Sequence, residues 1–338
     1  MNYFKDFVGN NQLTARLAQD ISHHSLSHAY IIEGPKGSGR HTFAQQVVSA
    51  IECRSQKIAP CGECLPCRKI LSGNSPDVIN ISFVGEKSSI GVESIREIKN
   101  GICIAPNELS IKAYIIDSAD SLTLQAQNAL LLSLEEPPSY IVFFLICENS
   151  SNLLETIKSR APILRTERLS SQEVEDFILK TDSRARALKD DDRESFETLL
   201  FVADGCIGQA LDLLDAKTRK QVFDMRDKAK KLVSMLYSPR PDQVFDIISS
   251  LGNKRPEILR QISLLQYALR DLILLKKSDT ASLCFFEDRE NAAELSTHFT
   301  SQGLFSLYDS TLVATDDLER NANIKLALFT MMQRAKLI

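Results

Sequence analysis

The 338-residue sequence has no stretch approaching the roughly 20 consecutive apolar residues of a membrane-spanning helix. Its first residues, MNYFKDFVGNNQ, lack a basic region followed by an apolar run. These absences predict a cytoplasmic protein with no membrane partner. Positive charge is not in excess either: 40 lysines and arginines stand against 44 aspartates and glutamates, a net charge of −4. That excludes a protein gripping nucleic acid through its overall charge, so any DNA contact must be local or shared with partners. No internal repeat, low-complexity segment or long linker interrupts the chain. With 43% hydrophobic and 25% charged residues, it has the composition of an ordinary folded protein, long enough for two or three domains.

What is present is organised around His28 to Thr42, HAYIIEGPKGSGRHT: an apolar strand, a glycine-rich loop and the start of a helix. That is the order of a phosphate-binding loop, G-x-x-x-x-G-K-[ST]. In such a loop backbone N–H groups surround the phosphates, the lysine reaches the terminal ones and the hydroxyl holds Mg²⁺. Gly34, Gly37 and Gly39 supply the cradle, but Arg40 stands in the lysine position and His41 in the hydroxyl position. A planar guanidinium on a long stem does not replace a compact point charge inside a tight loop. Thr42 is one position late and on a helix would point about 100° away from the metal. Weak or absent ATP binding is the expectation. Lys112 to Asp120, KAYIIDSAD, reads as a second buried strand, after which Asp117 fits the metal-side carboxylate of a P-loop protein. The next residue, where most such ATPases place a glutamate base, is Ser118, which accepts no proton at neutral pH. Asp120 reads as a helix cap or a surface charge.

Eight cysteines in a chain read as cytosolic point to metal ligands and buried thiols more than to disulfides. Four of them, Cys53, Cys61, Cys64 and Cys67, follow C-x7-C-x2-C-x2-C, and four thiolates within fifteen residues can close a tetrahedral Zn²⁺ site. The intervening glycine and proline suit the tight turns required. The competing reading is a set of buried free thiols, as Cys103, Cys147, Cys206 and Cys284 are taken to be. A zinc held by four cysteines has no open position, so its role would be structural.

Periodicity predicts helices over Phe4 to Ile21 after the FVGN turn at Phe7 to Asn10, Thr42 to Ile51 and Gly91 to Ile104, and strands over Pro76 to Val84 and Ile141 to Cys147. Thr123 caps a helix from Leu124 to Glu136 that Pro137-Pro138 stops, and Ser170 with Glu173 forms a capping box before Val174 to Leu179. Lys180 to Arg193 reads as a charged, solvated connection. Helices over Ser195 to Val202 and Ile207 to Asp215 complete a small lid. From Lys217 onward the chain reads as helical, broken at Ser238-Pro239, Gly252-Asn253 and Gly303. Arg96, Lys99 and Lys112 are candidate phosphate contacts, for which solvated surface charge is the stronger reading.

Taken together, HAYIIEGPKGSG, the four-cysteine insertion, KAYIIDSADSLTLQAQNALLLSLEEPP and LLETIKSRA resemble the clamp-loader branch of the AAA+ ATPases. Within it the pattern is most similar to the bacterial DNA polymerase III delta-prime subunits, with the gamma/tau subunits as close relatives. Leu132 and Ala161 depart from that pattern, which usually has lysine and cysteine there. The resemblance implies an α/β P-loop AAA+ domain over 1–166 with a zinc module at 53–67, a helical lid domain over 167–216, and an all-α collar over 217–338, within which Arg320 to Leu328 resembles a collar helix. It implies that Arg160 is an arginine finger acting in trans on ATP held by a neighbouring subunit. It also implies that Gly208, in ADGCIGQAL, replaces a sensor arginine. With Arg40 and Ser118 this makes three losses, so the resemblance points to a non-catalytic, stator-like subunit with no ATPase activity of its own. Its partners would be gamma/tau and delta subunits, and, through the complex, the sliding clamp and primed DNA. An ATP-hydrolysing gamma/tau-type subunit and a module that holds ATP without turnover are the alternatives.

Overall fold

Side chains alternate faces along a strand, so a sheet covered on both sides requires strands that are apolar throughout. Three strands of this chain meet that requirement: AYIIE, KAYII and IVFFLIC. The computed structural model describes residues 2–4, 7–23, 25–82, 91–236, 248–249, 251–252, 254–278, 280–320 and 322–335. It divides into two compact units, one comprising Met1–Asp182 with Gly205–Gln209, the other Ser183–Asp204 with Ala210–Ile338.

The first unit contains β1 (Asn2–Tyr3), β2 (Ala29–Glu33), β3 (Ile58–Ala59), β4 (Val78–Ile81), β5 (Lys112–Ile116), β6 (Ile141–Cys147) and β7 (Ile163–Arg165). Five of these form one parallel sheet in the order β4-β5-β6-β2-β7, the P-loop AAA+ arrangement, with β2 between β6 and β7. Alternate residues feed opposite cores. Ile141, Phe143 and Leu145 of β6 pack with α4 (Val92–Ile102), α5 (Leu124–Glu135) and α6 (Glu155–Lys158). Val142, Phe144 and Ile146 pack with α1 (Asn11–Ser22), α2 (Arg40–Ile51) and α3 (Leu65–Leu71). Ligand sites of such sheets lie beyond the carboxyl ends of the strands, where β2 and β5 deliver the glycine-rich loop and Asp117.

The capping expectations hold. Thr123 accepts from Ala126 N at the start of α5, and Ser170 and Glu173 form a reciprocal capping box at α7 (Ser171–Thr181). Other expectations are corrected. The first helix begins at Asn11, directly after the expected turn at Phe7 to Asn10, and the helical spacing from Phe4 is not helix, because Phe4 and Asn10 take left-handed backbone angles (φ 57° and 53°) and residues 2–3 pair with β3. The strand at Pro76 to Val84 is realised as Val78–Ile81, and residues 83–84 lie outside the described residues. The strand at Lys112 ends at Ile116, since Ser118 turns the chain through φ 54° into a 3-10 turn.

The second unit is helical around one core containing Leu232, Ile262, Leu269, Phe285, Leu304 and Met332. The supposed charged connection at Lys180 to Arg193 is largely helix, Ser183–Asp191, followed by Arg193–Ala203. Gly303 does not break a helix. It lies in the first turn of Ser301–Glu319, where its N–H donates to the capping Thr300 hydroxyl at 3.0 Å. Arg320 to Leu328 is not one helix either: Arg320 ends one, and Asn323 caps the next, Ile324–Arg334. The breaks at Ser238-Pro239 and Asn253 lie outside the described residues. Among the described residues no helix is long and apolar enough to cross a membrane.

Candidate functional site

The glycine-rich loop leaves β2 at Glu33 and enters α2 at Arg40. Gly34 is required by crowding: a Cβ there would lie 2.0 Å from the Thr166 hydroxyl oxygen. Gly37 and Gly39 are required by backbone angle, with φ of 84° and 83°. The loop is tied on several sides. Ser38 Oγ lies 2.7 Å from Thr166 Oγ1, Gly208 N donates to Gly37 O at 2.8 Å, and Gln209 Nε2 donates to Lys36 O at 2.8 Å. Gly208 has no room for a side chain, since a Cβ would meet Gly37 Cα at 2.9 Å and Gly37 O at 3.0 Å. The helix N-terminus behind the loop would still attract an anion.

The side chains around this cradle pair with one another. His41 Nε2 lies 3.7 Å from Asp117 Oδ2 and 3.0 Å from Asn80 Oδ1 of β4. Burial pushes the Asp117 carboxyl above its ordinary value, with His41 and then Arg40 opposing the shift. Mg²⁺ needs oxygen ligands in a near-octahedral shell. Here an imidazole occupies the position of the hydroxyl ligand and turns towards the carboxylate. Ser118, on a left-handed turn, gives its carbonyl to Ser121. Asp120 is neither a helix cap nor a free surface charge, because its Oδ2 accepts from Glu148 N and Asn149 N beyond β6.

The four cysteines come together around α3. Cys53 follows α2, Cys61 follows β3, Gly62 turns the chain with φ 73°, Cys64 caps α3 and Cys67 is buried in its first turn. All four Sγ atoms lie within 4.8 Å of one another. Zn–S bonds of about 2.3 Å place sulfurs about 3.8 Å apart, so closing on the ion needs a shift of about 1 Å or less. The cluster could bind zinc. The thiols are unequal without it: main-chain N–H groups of Cys64 and Glu63 bring Cys61 down to about 6, while burial pushes Cys53 and Cys67 up. Of the remaining cysteines, Cys147 and Cys206 are buried and Cys284 is half-buried. Cys103 is exposed, contrary to expectation.

Arg160 follows α6 on the opposite side of the sheet from α2. Its Nη1 donates to Thr156 O at 2.9 Å and its Nη2 to Glu135 Oε1 at 3.0 Å. Lys112 is not a surface charge available to phosphate. It is 8% exposed, and its Nζ donates to Gly101 O and Ile104 O. Arg96 is exposed and pairs with Glu93. The sequence reading missed Asn80, Thr166 and Gln209 as partners of the loop and of His41. Only the glycine at 208 hinted at close packing there.

The delta-subunit family model of DNA polymerase III matches residues 9–170. A Bacillus subtilis protein, DNA polymerase III subunit tau, is 28% identical over 323 residues, covering 90% of this chain and 56% of the relative. The gamma subunit of Buchnera aphidicola from Acyrthosiphon pisum is 30% identical over 274 residues, covering 76% of this chain and 74% of the relative. The chain thus spans little more than half the length of the B. subtilis tau subunit. A crystal structure of a gamma subunit-related protein from Thermotoga maritima aligns with a TM-score of 0.45 at 20% identity, covering 95% of this chain and 98% of that one. On the gamma relative's identity and coverage, this chain belongs to the tau/gamma family of DNA polymerase III clamp-loader subunits.

Proposed function

We propose that this chain is a non-catalytic, stator-like member of the clamp loader, of the delta-prime kind, which assists ATP turnover by a neighbouring subunit. The observation that carries this reading is the approach of His41 to Asp117. A motor subunit keeps a hydroxyl and a carboxylate for Mg²⁺, whereas here a histidine in the hydroxyl position faces the carboxylate. Arg40 in place of lysine, Ser118 in place of a base, and Gly208 packed without a side chain on Gly37 support the same conclusion. Gly34, Gly37, Gly39, Arg40 and Asp117 are then remnants of a nucleotide site, weak or empty.

Arg160 supplies the finger in trans in this reading. A guanidinium fork aimed at a transferring phosphoryl group stabilises its charge and is worth about 10³-fold or more in rate. Residues 1–166 would serve as the AAA+ module, 167–216 as the lid and 217–338 as the collar joining gamma/tau and delta subunits. Cys53, Cys61, Cys64 and Cys67 would hold a structural Zn²⁺. Sliding clamp and primed DNA would be met through the complex, in the cytoplasm.

Steady-state ATP hydrolysis tests the reading, with the chain alone and reconstituted with gamma/tau and delta subunits, clamp and primed DNA. The isolated chain is expected to be silent, and Arg160→Ala to lower turnover of the complex by a factor on the order of 10³. Turnover by the isolated chain would replace this reading with that of a gamma/tau-type motor, which the gamma and tau names of the relatives favour. The retained left-handed glycines favour a third possibility, a module holding ATP without turnover. Titration with a fluorescent ATP analogue separates it: micromolar binding without hydrolysis supports the holding module, and no binding supports the stator.

A further inference from the structure

Arg160 has a main chain fixed by hydrogen bonds and a half-exposed head held by Thr156 O at 2.9 Å and by Glu135 at 3.0 Å. Arg160 N and Ala161 N both donate to Ile157 O, at 3.0 and 3.1 Å; Ala161 is buried, and β7 begins two residues later. Among the described residues the guanidinium meets one carboxylate, that of Glu135 at the end of α5, and the two side chains are 35% and 48% exposed. An open cavity of about 360 Å³ lies over the pair, lined by Leu132, Glu135, Glu136 and Arg160.

An ion pair this accessible to water is weak, because solvent screens the attraction and two long side chains must be ordered to form it. A phosphate carries more charge than a carboxylate and offers a guanidinium two parallel acceptor oxygens. An incoming nucleotide phosphate can therefore take Arg160 from Glu135, at the cost of breaking the existing pair and, where the head swings fully away, the bond to Thr156 O.

We propose that Glu135 is the resting partner of Arg160. It holds the guanidinium against its own chain and releases it to the phosphate of a nucleotide bound by the neighbouring subunit, thereby setting how readily that nucleotide is engaged. The inference rests on the reading of Arg160 as a finger in trans. Glu135 is a positioning residue, since it competes for the guanidinium and touches neither the nucleotide nor the reacting atoms. It would hold back apparent affinity more than the chemical step, because the pair is already broken once Arg160 is engaged. Glu136 lines the same cavity and supplies the matched control.

The test measures KM and kcat for ATP in the reconstituted complex with clamp and primed DNA, using wild-type chain, Glu135→Gln, Glu136→Gln, Arg160→Ala and the Glu135→Gln/Arg160→Ala double variant. Glu135→Gln is expected to lower KM about two- to fivefold, the range an exposed ion pair spans, and to move kcat less than KM. Glu136→Gln should move KM less, and the effect of Glu135→Gln should vanish in the Arg160→Ala background. If Arg160→Ala is defective while Glu135→Gln leaves KM unchanged, or raises KM and lowers kcat, the resting-partner role is overturned and the finger stands. If Arg160→Ala turns over ATP normally, the finger reading itself fails and this inference fails with it.

Discussion

The glycine-rich loop and the cysteine cluster sit in the same unit and have opposite kinds of integrity. In the loop the backbone is intact: the glycines hold their left-handed angles, and the chain is tied to Thr166, Gly208 and Gln209. The side chains that would act on a nucleotide are replaced. In the cysteine cluster the side chains are all present and converge, while the backbone around them is short irregular loops and a seven-residue helix. The contrast separates two reasons for a motif to persist. The loop is retained by packing, because its glycines are the only residues that fit. In the cluster, Cys67 and Ile70 of α3 are buried, but packing alone does not explain why four sulfurs converge, which points to what they could bind.

The largest expected effect breaks the cluster. Cys64→Ser, or a strong chelator on the wild-type protein, should take zinc content from about one equivalent to nearly none and loosen the loops that flank α3, while buried Ile70 keeps the helix on the core. Structural zinc contributes on the order of 10 kcal/mol to small folded sites, which few local contacts could replace. Metal analysis of protein purified without chelator checks this, and a full complement of zinc in the serine variant would remove Cys64 from the ligand set.

The loop should break through its backbone. Gly34→Ala places a methyl 2.0 Å from Thr166 Oγ1, and overpacking of this kind costs about 1–3 kcal/mol. Urea denaturation should show the loss, with zinc content unchanged. Retained stability would mean that Thr166 moves aside freely and that the loop is less tightly tied than its hydrogen bonds imply.

The smallest effect concerns Asp117. Burial holds its carboxyl above the ordinary value of 3.8, despite His41 and Arg40. The native state therefore binds more proton than the unfolded chain in the window between 3.8 and the raised native value. Stability must fall as pH rises through that window, and the cost persists above it. Asp117→Asn should remove this contribution to the slope through that window. Urea midpoints measured across the acid range check the sign, and a slope that steepens in the asparagine variant would overturn it.

Much of the fold was legible because the signals are local and strong. The apolar runs of β5 and β6 specify a doubly covered parallel sheet, and Thr123 and Ser170 mark helix starts through hydrogen bonds spanning three residues. The cysteine cluster was legible from spacing alone. What failed depended on partners distant in sequence. Lys112 looks like any strand-edge lysine until the carbonyls of Gly101 and Ile104 close around its ammonium. Nothing near Phe4 announces that a bulky residue will adopt a left-handed backbone, which the burial of its ring accompanies. The high charge of Lys180 to Arg193 concealed a helix, since Ala185 is the buried residue within Ser183–Asp191 and little apolar periodicity remains to be read. At the glycine-rich loop the departures from the P-loop pattern were visible, but the pairing of His41 with Asp117 and Asn80 was not, because it joins α2 to the ends of two other strands.

The seating of Gly208 on Gly37 also bears on how this chain can change over time. Once the two backbones have closed to a 2.8 Å hydrogen bond, the space an arginine side chain would need at 208 is gone. An arginine introduced at 208 would wedge the loop away from Gly37 before its side chain could reach the cradle. In the proposed non-catalytic reading, regaining a motor would require moving the loop, freeing Asp117 from His41 and placing a base at Ser118. In that reading, packing of Gly208 on Gly37 would hold the chain to its non-catalytic role.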